Sequence, residues 1–200
     1  MAEKVGALMP GRVVRGATLA MPGALERALL PGMLIYPLFM AGGWFTQSEL
    51  PRRLCTAGAQ GVHQLSPFGE DPALLDIARD LIRKTVPGPL SDIAVLLAAH
   101  GSGRSRGPAL RTESFADTLR PLVRRVTCGF VEEDPRIAHA ARGFDGPAVC
   151  LPFFATEADH VRHDVPEALR EAGFKGDLLP PLGLAPDVPA LIAAAIRAAR

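Results

Sequence analysis

No cysteine pair in this chain is spaced to hold zinc or to close a redox disulfide. The three thiols, Cys55, Cys128 and Cys150, are odd in number and far apart, so they read as reduced core residues of a cytoplasmic protein and exclude a disulfide framework. An excess of one charge is missing as well. Twenty-two lysines and arginines face 21 aspartates and glutamates, which leaves no basic footprint for nucleic acid. Nor is any apolar run long enough to span a bilayer: Leu29–Phe45, the most apolar region, is broken by Pro31 and Pro37, and the N-terminal MAEKVGALMPGR has no signal-peptide core. A hydrophobic content of 48% excludes disorder, and 200 residues suffice to bury a core. The expected partner is a small molecule.

What is present is alternation of strand-like and helix-like stretches. RVVRGATLA, from Arg12, reads as a strand, the stretch after Pro22 as a helix, and Met33–Met40 as a second strand. A glycine-rich loop follows, then a short helix from Pro51, a strand at 62–65 and a helix after Pro72, with Asp71 as its N-cap and Leu75, Ala78, Leu81 and Ile82 on one face. Val86–Ser91 (VPGPLS) is a break, after which the pattern restarts. Ile93–Ala99 is seven apolar residues without alternation, the signature of a parallel strand covered on both faces. A helix carrying Phe115, Leu119, Leu122 and Val123 comes next, shortened by Pro121. Strands at Val126–Val131 and Ala148–Phe154, helices after Pro135 and from Pro166, a strand at 177–179 and a final helix with Val188, Leu191, Ile192, Ala195, Ile196 and Ala199 on one stripe complete the chain.

The two halves are similar. RVVRGATLAMP (Arg12–Pro22) aligns with RVTCGFVEEDP (Arg125–Pro135), and YPLFMAGGWFTQSELPRRL (Tyr36–Leu54) with LPFFATEADHVRHDVPEAL (Leu151–Leu169), an offset of 115. The reading is therefore α/β, with two parallel-sheet lobes, residues 1–87 and 88–200. Nothing in the first lobe matches Ile93–Arg120, so it lacks the opening strand and helix of the second. Residues 3–11 look like the tail of that missing helix. Either the element was deleted or the chain starts inside a longer reading frame; the second is the expectation, because loss of an interior strand would leave backbone groups unpaired. A homodimer is the other way to supply the strand.

Chemistry-bearing residues concentrate beyond three strand ends in the second half. His100 opens the loop HGSGRSRG, Glu132 and Glu133 follow Val131, and Asp159-His160-Val161-Arg162-His163-Asp164 lies past the strand ending at Phe154. Ligands of open α/β sheets sit at such carboxyl ends, and neighbouring strands are only about 4.8 Å apart, so the three clusters can face one crevice. Two neutral imidazoles with a carboxylate and open positions suit a borderline divalent ion such as Co²⁺, Fe²⁺ or Ni²⁺, held loosely enough to be released.

AAHGSGRSRG, FVEEDP and LPFFATEADHVRHDVPEAL together resemble the sirohydrochlorin cobaltochelatase/ferrochelatase family, small class II chelatases of tetrapyrrole biosynthesis, over essentially the whole chain. The resemblance implies flavodoxin-like lobes and insertion of cobalt or ferrous iron into sirohydrochlorin or a related tetrapyrrole, with the metal as substrate and no organic cofactor. It makes His100 and His160 the metal-binding, catalytic histidines and Glu132 the supporting carboxylate, with Glu133 not excluded. Ser102, Arg104, Ser105 and Arg106 would then receive the substrate's carboxylates. Asp159 stands where the family motif often has glycine. In the first half Phe45 stands opposite His160 and Ser48 opposite His163, so that half is expected to lack a metal site and to serve as scaffold or substrate wall.

Blander readings compete at several positions. Asp164 with Pro166 and Glu167 reads first as a helix cap, His163 as a solvent-facing residue, His63 and His139 as surface or packing residues, and Trp44 as cleft-lining or core. Phosphoryl chemistry at the HGSGRSRG loop is disfavoured because Ala99, not arginine, precedes the histidine. A carrier that binds tetrapyrrole or metal without catalysis is the rival from outside the enzymes.

Overall fold

The computed structural model describes residues 1–157 and 159–199. Ala158, inside the HVRHD-bearing segment, and Arg200, the last residue of the second half, lie outside the described residues. In chain order the elements are α1 (Ala2–Ala7), α2 (Ala24–Ala28), β1 (Leu34–Ile35), α3 (Leu50–Thr56), β2 (His63–Gln64), α4 (Leu74–Thr85), β3 (Ala94–Ala99), α5 (Gly107–Leu119), β4 (Arg125–Phe130), α6 (Ile137–Ala140), β5 (Ala148–Pro152), α7 (Val165–Glu171), β6 (Asp177–Leu178) and α8 (Val188–Ala198). They form two compact units, one of Pro72–Ala185 and one of Met1–Asp71 with Pro186–Arg200. The last helix of each sequence half is thus found in the other half's unit: α4 belongs with the second and α8 with the first.

The larger unit is a four-stranded, wholly parallel sheet in the order β4-β3-β5-β6. Its centre is β3, every residue of which is buried. An unbroken apolar hexamer would be out of place on a sheet with a wet face, and here helices cover both. Leu96, Ala98, Cys150 and Val165 belong to one core cluster, and Phe115 of α5 meets Phe153 at 4.9 Å between ring centroids. Helix α5 stops at Leu119, and Pro121 just beyond brings no N–H to extend its hydrogen bonds.

The smaller unit holds the two-stranded parallel pair β1-β2. Leu25, Leu50 and Leu54 make its small core, with Leu19, Ile35 and Val62 against them. Helices α1 and α8 pack together, and Arg197 donates to the carbonyl of Leu8 at 2.7 Å. Two expectations fail here. Arg12–Ala20 forms no strand, and Val13 is 71% exposed. Its counterpart β4 pairs with β3, and the first half has no equivalent of β3, so there is no ladder for this segment to join. The second expected strand narrows to Leu34–Ile35, since Pro37 contributes no N–H. In α4 the residue at the N-cap position is Ala73 rather than Asp71.

The duplication reaches details that composition does not dictate. A single turn of π-helix spans Phe45–Glu49 in the smaller unit and His160–Asp164 in the larger, and each runs into a seven-residue helix with proline in its first turn, Pro51 in α3 and Pro166 in α7. Gly69 donates to the carbonyl of Phe39, and Gly183 to that of Phe154, both at 2.9 Å. A Cβ on Gly69 would stand 1.9 Å from the Met40 carbonyl oxygen, and one on Gly183 2.0 Å from that of Ala155. No side chain fits either place.

Candidate metal centre

The sheet register brings three loop starts together. Ala99 lies opposite Phe130, and Ala98 opposite Pro152. His100 therefore leaves β3 beside Val131-Glu132 and beside the chain that climbs from β5 towards His160. Backbone bonds fasten the junction: Val131 N–H donates to Ala99 O at 3.0 Å, Glu132 N–H to His100 O at 2.9 Å, and Phe153 N–H to Ala98 O at 2.7 Å.

The rings of His100 and His160 meet edge to face, with centroids 4.7 Å apart and planes at 88°. Two imidazoles bound to one ion through nitrogens ~2.1 Å from it would have centroids about 4.5–5.5 Å apart, so this spacing fits a shared ion. Each Nδ1 is already engaged. His100 Nδ1 lies 3.0 Å from the Gly101 carbonyl, which can only accept, and His160 Nδ1 lies 2.5 Å from Asp164 Oδ2. Partners of this kind assign the proton to Nδ1 and leave the Nε2 lone pairs for a metal. Both side chains are partly open to solvent, at 44% and 37% exposure.

Two carboxylates follow β4 and differ sharply. Glu132 Oε2 stands 3.8 Å from His100 Nδ1, too far for a hydrogen bond, on a side chain 49% exposed. Glu133 is 11% exposed and accepts the Ser102 N–H at 2.8 Å, with Arg106 Nη1 3.5 Å from its other oxygen. Gly101 adopts φ +68°, and a Cβ there would lie 2.9 Å from both Glu133 and Phe130 side-chain atoms, so the turn after His100 admits only glycine.

From Gly103 to Arg106 the loop is exposed. Ser102 and Ser105 accept local amides, from Arg104 and Gly107, each at 3.2 Å. Arg106 also pairs with Glu113 at 3.1 Å, whereas the Arg104 guanidinium has no ion-pair partner among the described residues. His163 and His63 are both exposed. The capping role expected of Asp164 is not found: it makes no side-chain cap, and its carboxylate is spent on His160. The His-x-x-x-Asp spacing permits that contact and a helix cap alike. Glu133's contact carried none in the sequence, because its partner is a backbone amide 31 residues away.

Cysteine contributes no ligand. Burial, helped by nearby Glu113, pushes the Cys128 thiol up to about 11, and burial raises Cys150 as well, so both stay protonated at neutral pH. Among the described residues no group of three or more His, Cys, Asp or Glu side chains is arranged to hold a metal. Protein would supply two ligands and leave the remaining positions open.

In the smaller unit the matching turn has other chemistry. Phe45 occupies the place of His160, stacked on Phe39 at 5.9 Å and edge-on to Trp44 at 4.9 Å. Trp44 is a surface residue, 63% exposed, rather than part of a core. Glu49, in the place of Asp164, is buried and binds Arg52 Nη2 at 2.8 Å and Arg53 Nε at 2.6 Å. These hydrogen bonds, Arg52's first, hold its carboxyl at about 2.

Fold and site define a parallel α/β protein of duplicated lobes, with a two-imidazole centre at the carboxyl ends of the strands of one lobe. The family profile of CbiX matches residues 94–199, and the chain belongs to the CbiX family. A solved structure of CbiX, described as the terminal enzyme for biosynthesis of siroheme in denitrifying bacteria, is 54% identical and superposes with a TM-score of 0.91 over 100% of this chain and 89% of its own. SirB from Bacillus subtilis with Fe³⁺ shares the fold at 13% identity, with a TM-score of 0.79 over 98% of this chain and 85% of its own. A probable sirohydrochlorin cobaltochelatase of Halobacterium salinarum is 24% identical over 162 residues, 66% of this chain. The chain spans about half of that relative's length, 55%. Among the described residues no helix is long and apolar enough to cross a membrane.

Proposed function

We propose that this protein inserts a divalent metal, cobalt or ferrous iron, into sirohydrochlorin or a closely related tetrapyrrole on the way to sirohaem or cobalamin. The observation that carries the reading is the His100–His160 pair, 4.7 Å between centroids with each Nδ1 committed to an acceptor. The CbiX of siroheme biosynthesis and the probable cobaltochelatase of Halobacterium point the same way.

The centre's chemistry suits transfer rather than retention. Insertion replaces two pyrrole N–H protons by one M²⁺, so the ion must leave its protein ligands and two protons must leave the macrocycle. His100 and His160 hold the ion through Nε2 with the other positions open, and such a two-nitrogen site yields it to four pyrrole nitrogens. Glu132, exposed and not hydrogen-bonded to His100, accepts one pyrrole proton and a histidine freed of the ion accepts the other, both passing on to solvent. Ser102, Arg104, Ser105 and Arg106 receive the substrate's carboxylates. Arg104 brings an uncommitted guanidinium, while Arg106 shares its charge with Glu113 and Glu133.

Residues 1–87 are the degenerate lobe and 88–200 the lobe with the metal site. Phe45 and Ser48 stand where the second lobe has His160 and His163, so the first lobe serves as scaffold or substrate wall rather than as a metal site. A cytoplasmic location accords with the free thiols. The open edge of β1 is where a second copy of the chain would add. Following Co²⁺ insertion into sirohydrochlorin by its absorbance tests the activity: this reading requires protein-dependent turnover, and binding of metal or macrocycle with no rise in rate would make the protein a carrier.

A further inference from the structure

One peptide plane links Glu133 to His100. The Ser102 N–H donates to Glu133 Oε1 at 2.8 Å, and the carbonyl of that same peptide unit, Gly101 O, takes the proton of His100 Nδ1 at 3.0 Å. A trans peptide keeps its N–H and C=O antiparallel and coplanar, so anchoring the amide side orients the carbonyl side. We propose that Glu133 is the positioning residue of His100, selecting its tautomer and ring angle through the Gly101–Ser102 peptide, much as Asp164 does for His160 by direct contact.

Three further observations support the relay. Glu133 is 11% exposed whereas Glu132 beside it is 49% exposed, so of two adjacent carboxylates one is built into the loop and the other stands open to solvent. The turn has no slack, because Gly101 at φ +68° would press any Cβ to 2.9 Å from Glu133 and from Phe130. Arg106 Nη1, 3.5 Å from Glu133 Oε2, offsets the charge that burial would otherwise penalise. The two imidazoles thus have matched support, a carboxylate touching one ring and a carboxylate one peptide removed from the other. Outer-shell partners of this kind set ring orientation and weigh on metal affinity.

The inference rests on His100 being a metal-holding residue, and the test separates the two claims. Co²⁺ affinity of the full chain is measured by visible absorbance, and the imidazole tautomers of the metal-free protein by ¹⁵N NMR, for Glu133→Ala, Glu133→Gln and His100→Ala. Glu133→Ala is expected to weaken Co²⁺ binding about 10-fold or more and to mix the His100 tautomers. Glu133→Gln keeps an oxygen for the Ser102 N–H and should restore both. A folded Glu133→Ala protein with the wild-type tautomer and affinity overturns the proposal; if that variant does not fold, Glu133→Asp, too short to reach, replaces it under the same criterion. His100→Ala with wild-type Co²⁺ affinity would instead overturn the metal-holding reading itself.

Discussion

His160 Nδ1 and Asp164 Oδ2 lie 2.5 Å apart across one π-turn, a direct imidazole–carboxylate pair four residues long in sequence. The carboxylate fixes the proton on Nδ1 and turns Nε2 outward as a lone-pair donor. Asp164→Ala should leave the far-UV circular dichroism unchanged and weaken Co²⁺ binding about 10–100-fold. Unaltered Co²⁺ affinity in a folded Asp164→Ala protein would remove Asp164 from the site.

Acid should act on the first lobe through Glu49. Its folded-state value, held near 2 by Arg52 and Arg53, lies below the ordinary 4.5, so the ionised form stabilises the fold above about pH 4.5 and that contribution drains away as pH falls towards 2. Melting temperature followed across that window should fall more steeply for the wild type than for Glu49→Gln. Parallel curves would mean that the buried pair contributes nothing to pH-dependent stability.

Much of the larger unit was legible because its signals are local. Ile93–Ala99 is apolar without interruption, Pro121 ends a helix by chemistry that needs no neighbour, and the offset of 115 carries one lobe's pattern onto the other. The expected strand at Arg12–Ala20 failed because a strand is a property of a pair, and its partner is missing. Asp164 was misjudged because His-x-x-x-Asp before a proline-led helix looks the same whether the carboxylate caps a helix or orients a ring. Glu133 was undetermined for a deeper reason: its partner is a backbone amide, which has no identity in a sequence.

Gly183 gives the sharpest test of the fold itself. A Cβ there would sit 2.0 Å from the Ala155 carbonyl oxygen, so Gly183→Ala must push apart the segment that follows β5. A loss of about 1–3 kcal/mol or more in urea unfolding is expected, and an unchanged midpoint would contradict the close approach.

The central claim is that one metal ion is shared by His100 and His160. X-ray absorption of the Co²⁺-loaded protein measures this directly. The account predicts one cobalt per chain with two imidazole nitrogens and otherwise oxygen ligands, and loss of that signature in both His100→Ala and His160→Ala. A cobalt environment unchanged by either substitution would contradict it.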